Sequence, residues 1–77
     1  MKADATLDAT GVLCPLPIIW TADRFKALEV GDVLEVLATD EAILEDLPAW
    51  CRATGHEFLG FEMEPPLYRG YARRKHL

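Results

Sequence analysis

The stretch Gly11-Val12-Leu13-Cys14-Pro15-Leu16-Pro17 constrains this chain more than any other. Ala5-Thr6-Leu7-Asp8-Ala9 before it reads as a short strand, with Thr10-Gly11 turning the chain. After it comes an apolar-periodic segment that predicts a helix from Pro15 to Leu28. Cys14 is therefore expected where a strand passes into a helix. Pro15 suits a first helical turn, since its φ is already helical and its missing N–H would have had no partner. Unpaired amides and the positive end of a helix dipole favour an anion, so this position predicts a thiol shifted below its usual value of about 8.5. A small cysteine buried behind a turn is the alternative, and such cysteines are inert.

Seventy-seven residues predict one domain, 1–77, and its hydrophobic share of 51% allows a packed core without staples. Two cysteines are too few for a disulfide scaffold, and C-P-x-P is neither a dithiol redox motif nor a zinc knuckle. No basic start followed by an apolar run suggests a signal peptide, and no apolar run approaches the ~20 residues of a membrane span. A cytoplasmic location is expected, where thiols stay reduced. The net charge of −5 argues against nucleic-acid binding.

Asp8 is expected to satisfy turn amides. Ile18, Ala22, Phe25 and Leu28 predict the core stripe of the first helix. Leu16 and Trp20 lie one turn apart on the other side and predict an apolar surface pair beside Cys14. Val33 to Ala38 reads as an interior strand with Leu34, Val36 and Ala38 on one face. Thr39-Asp40-Glu41 opens a second helical region, which Pro48 is expected to break, with a new start capped by Asp46 and an end at Gly55. Cys51 falls on its core face. His56 to Met63 predicts a third strand facing Leu59, Phe61 and Met63 inward, with His56 packing or capping. Leu67 to Lys75 predicts a fourth that carries Arg69, Arg73, Arg74 and Lys75 on a solvated face. With right-handed crossovers, the order β-α-β-α-β-β gives an α/β two-layer sandwich, a mixed four-stranded sheet with two helices on one face.

The run Leu7 to Pro17 resembles the signature of the TusA, or SirA-like, sulfur-carrier family. The likeness continues in Gly31-Asp32, Asp46-Leu47-Pro48, Gly55-His56 and the tyrosine- and arginine-bearing last strand. It implies sheet order 1-2-4-3 and a persulfide carried on Cys14, with Asp8, Gly11, Pro15 and Pro17 supporting the motif. It implies no metal or organic cofactor. Implied partners are a sulfur donor of cysteine desulfurase or rhodanese type and a DsrE-like acceptor, in a relay towards tRNA thiolation or sulfur oxidation. Many relatives carry basic residues where this chain has Trp20, Ala22 and Asp23, and tRNA-thiolation relatives have an acid at Leu16. These departures point to an apolar contact through Leu16 and Trp20. Gly70 interrupts a run that is usually apolar and is expected to loosen the last strand or mark a bulge. A partner-binding or regulatory module with a structural Cys14 is the alternative reading.

Overall fold

The computed structural model describes residues 2–76. Its elements are β1 (Ala5–Ala9), α1 (Leu16–Phe25), β2 (Val33–Ala38), α2 (Ile43–Thr54), β3 (Glu57–Glu64) and β4 (Leu67–Arg73). The sheet order is β1-β2-β4-β3, with β1 parallel to β2 and the other pairs antiparallel. The expected mixed sheet with two helices on one face is the fold observed.

Leu34, Val36 and Ala38 are fully buried, so β2 is the interior strand its composition suggested. They join Leu7, Phe25, Ile43, Leu47, Cys51 and Ala72 in one core. Phe25 of α1 meets Trp50 of α2 edge-on at 5.0 Å, which locks the helices together over the sheet.

Four expectations are corrected. The fully buried positions of α1 are Pro17, Thr21 and Phe25, while Ile18 and Leu28 of the expected stripe pack on the core only partly buried, so the stripe keeps Phe25 but is centred to one side of the predicted one. Thr21 can occupy it because its hydroxyl donates to the Pro17 carbonyl at 2.7 Å, leaving no unpaired polar group. Secondly, Pro48 does not break α2. It removes one backbone bond, a cost of about 3 kcal/mol. Burial of Ile43 and Leu47 alone contributes roughly 1.5–3 kcal/mol each, enough to offset that cost. Asp46 is consequently an interior helix residue, its amide bonded to the Ala42 carbonyl, rather than a cap.

Thirdly, Leu59 is an extra residue in a β-bulge of β3, between Phe58 (opposite Ala72) and Gly60 (opposite Tyr71). Gly60 adopts φ +121°, which L side chains avoid. The bulge shifts the alternation, so Phe58 and Phe61 both pack on the core, 5.1 Å apart, and Met63 is 59% exposed. Lastly, Gly70 is no bulge. It pairs regularly with Val36 and Phe61 and makes room for two side chains: a Cβ there would lie 2.5 Å from Leu47 Cδ2 and 2.9 Å from Phe61 Cε1.

The basic residues of the last strand are engaged rather than free. Arg69 pairs with Glu64 and Glu35, and Arg73 with Glu57. Beyond the ladder, Arg74 donates to the Phe25 and Leu28 carbonyls at 2.6 Å each and so caps the C-terminal end of α1. His56 packs as expected, against Phe25 and Trp50 and stacked on His76 at 4.4 Å.

Candidate functional site

The loop from β1 to α1 is built from short-range turns and two long-range tethers. Asp8 Oδ1 accepts the Thr10 amide at 3.0 Å and its hydroxyl at 2.7 Å, making the turn that its sequence position suggested. Those bonds hold the Asp8 carboxyl below the usual carboxylate range. Gly11 follows at φ +77° and donates its amide to Thr39 Oγ1 at 2.8 Å. Cys14 donates its amide to Asp40 Oδ2 at 3.0 Å, and Asp40 Oδ1 accepts the Ala42 amide at 3.0 Å. Thr39 and Asp40, directly after β2, thus grip both ends of the loop. The Cys14–Pro15 peptide is cis, and Pro15 stands at the N-cap of α1.

Half-buried Cys14 packs against the edge of the core, and its thiol lies under the influence of the Asp46 carboxylate of α2. The expected lowering of its pKa is overturned. Partial burial first, then the Asp46 carboxylate, then the charge of Asp40, push the thiol up from 9.0 to about 11. The helix start supplies no compensation because its donors are spent. Leu16 N–H goes to the Leu13 carbonyl and Ile18 N–H to the Pro15 carbonyl, while Pro17 has none. A dipole without available amides holds an anion poorly.

Exposed apolar side chains flank Cys14 in the chain and continue along the outer face of α1. Leu13 is 72% exposed, Ile19 51%, Leu16 46% and Trp20 38%. Trp20 also lines a shallow groove with Thr6, Leu7, Asp8, Asp23 and Arg24. On the other flank, Asp40, Glu41, Glu45, Pro48 and Arg52 line a second groove along the start of α2. Asp8 at the end of β1, Gly11, Cys14 and Pro15 in the loop, and Pro17 in the first turn of α1 thus span the β1–α1 junction. Sequence reasoning missed Asp40 and Asp46, because the approach of α2 to this loop is a tertiary fact without a local signature. Cys51, buried on the core face of α2, is also free but far less accessible, and burial pushes its thiol up to about 11. Among the described residues, no three His, Cys, Asp or Glu side chains converge as a metal site, and no helix is long and apolar enough to cross a membrane.

Comparison with known proteins agrees with this architecture. Residues 5–74 match the family model described as sulfurtransferase TusA. The chain is 43% identical over 72 residues to the sulfur carrier protein TusA of Pseudomonas entomophila (strain L48), covering 94% of this chain and 90% of that one. It is 49% identical over 74 residues to YrkF of Bacillus subtilis (strain 168), where it covers 96% of itself but spans only 40% of the relative's length. The crystal structure of a SirA-like protein from Desulfitobacterium hafniense superposes with a TM-score of 0.80 over 94% of this chain and 99% of that one. At 23% identity, that likeness speaks for the fold. Signature loop, sheet order and family match converge, and the chain belongs to the TusA sulfurtransferase family.

Proposed function

We propose that this chain is a protein sulfur carrier that holds sulfane sulfur as a persulfide on Cys14. The observation that carries the reading is the placement of Cys14: a partly exposed thiol on the β1–α1 loop, flanked in the chain by exposed Leu13 and Leu16 and under the influence of the Asp46 carboxylate. In loading, the Cys14 proton passes to Asp46 as the sulfur attacks the outer sulfur of a donor persulfide. The donor's inner S–S bond breaks, its thiolate leaves and takes up a proton, and Cys14 carries –S–SH. In unloading, an acceptor thiolate attacks that outer sulfur, and Cys14 leaves and recovers its proton. One sulfur atom moves at each step with no net redox change, following thiol–disulfide exchange. No metal or organic cofactor takes part.

The donor is of cysteine desulfurase or rhodanese type and the acceptor DsrE-like, in a relay serving tRNA thiolation or sulfur oxidation. Leu16 and Trp20, with Leu13 and Ile19, form the surface on which these partners dock. Asp8, Gly11, Pro15 and Pro17 shape the loop that presents the cysteine. A cytoplasmic setting suits a chain whose two cysteines are both free. The raised thiol favours one competing reading, a partner-binding module in which Cys14 is structural, and a single experiment separates the two. Incubation with inorganic polysulfide followed by intact-mass spectrometry is expected to add about 32 Da per sulfur to the wild type and to Cys51→Ala, and nothing to Cys14→Ser. Loading that survives Cys14→Ser and dies with Cys51→Ala would overturn the assignment.

A further inference from the structure

The loop that carries Cys14 is not held by its own residues alone. Its last amide and the amide at the entry to α2 are accepted by the two oxygens of one carboxylate, Asp40, each at 3.0 Å. Those two bonds hold the Asp40 carboxyl below the usual range, so it is ionised at neutral pH. We propose that Asp40 is a positioning residue for Cys14: it ties the cysteine loop to the start of α2 and, bonded to the Cys14 amide, keeps a fixed negative charge near that residue, which slows the loss of bound sulfur between partners. The inference rests on the sulfur-carrier reading, and it assigns to Asp40 a role that neither substrate contact nor helix capping requires.

The physical argument has two parts. Rigid presentation follows from the tether, because a cysteine whose backbone is pinned at 26 residues' separation cannot swing with its loop. Retention follows from charge. When an acceptor attacks, Cys14 must leave as a thiolate, and a carboxylate held beside it raises the energy of that leaving group. A stray small thiol gains nothing to offset this repulsion. A docking partner that brings a cation beside the carboxylate removes it.

Asp40→Asn and Asp40→Ser both retain an acceptor for the local Ala42 amide, a bond that either side chain makes in such turns. Neither supplies the second anionic oxygen that holds Cys14. A merely helix-starting role would therefore leave both variants indistinguishable from wild type. We expect both to unfold near the wild-type temperature, with the Cys14 amide exchanging hydrogen at least about tenfold faster by NMR. In a Cys51→Ala background, the pH profile of Cys14 alkylation by iodoacetamide is expected to move to lower pH. Protein loaded with inorganic polysulfide is expected to yield its sulfur to glutathione several-fold faster at pH 7.5. Unchanged amide exchange together with an unchanged alkylation profile in both variants would overturn the proposal. The exchange and alkylation measurements need no bound sulfur, so a wild type that fails to load would sink the carrier reading while leaving the Asp40 tether separately testable.

Discussion

Cys14 should react slowly with a simple electrophile at neutral pH, and the structure says by how much. The thiol is moved from 9.0 to about 11, so at pH 7.5 its thiolate is roughly 100-fold scarcer than that of an ordinary cysteine. A more basic thiolate is also more nucleophilic, and a Brønsted slope of about 0.4–0.5 returns nearly tenfold over that interval. The net expectation is alkylation of the order of tenfold slower than a free cysteine peptide under identical conditions. The assay is iodoacetamide labelling of the Cys51→Ala protein, followed by mass spectrometry from pH 6 to 11, with rates still rising at the alkaline end. Burial remains in an Asp46→Asn variant, but the carboxylate next to the sulfur is gone, so its profile should shift to lower pH and its rate at pH 7.5 should increase. A wild-type midpoint at or below about 8.5, the ordinary thiol value, would refute the reasoning, because an activated thiolate and the observed surroundings are incompatible.

Three further outcomes are expected. Gly70→Ala should destabilise the fold by about 1–3 kcal/mol in urea denaturation, since its methyl group would collide with Leu47 and Phe61; a neutral effect would mean that this part of the core is looser than described. His56 is held below its ordinary 6.5 by partial desolvation and by His76 and Arg74. The unfolded imidazole therefore takes a proton first, and stability should fall as pH drops through 6.5 and level off below the folded value. Melting temperatures between pH 7.5 and 5.5 should show a shallower slope for His56→Gln, and equal slopes would exclude this linkage. Trp20→Ala should leave polysulfide loading of Cys14 unchanged while slowing loading from a cysteine desulfurase persulfide at least tenfold, as expected for an aromatic anchor at an interface. Equal slowing with both donors would place Trp20 in the fold of the loop instead.

Much of the architecture was legible because local and tertiary preferences agree. Val33 to Ala38 is β-branched and leucine-rich with one charge, and nothing competes with the strand it forms. Pro48 was misread because a local rule met a tertiary override: one lost backbone bond is outweighed by the burial of Ile43, Leu47 and Cys51 on the same helix. The inward face of β3 was misread because a bulge at Leu59 has no fixed sequence mark, and Gly60 and Gly70 could each have hosted it. At the functional loop, the turn bonds of Asp8 and the surface exposure of Leu16 and Trp20 follow from spacing alone. The reactivity of Cys14 does not. It depends on where the loop's amides go and on the carboxylates of Asp40, just after β2, and Asp46, on α2, both more than twenty residues away, and neither is a property of the C-P-x-P stretch itself.

The strand order carries a consequence for synthesis on the ribosome. β4 is made last yet lies between β2 and β3, so the middle of the sheet is vacant until residues 67–73 have emerged. Until then β2 has a partner on one side only and β3 has none, and both present open backbone donors and acceptors beside apolar side chains. A nascent or prematurely terminated chain ending before Leu67 therefore offers two strand edges that other chains can extend. Cooperative closure awaits one late insertion, which makes incomplete products of this domain natural clients for chaperones and proteases.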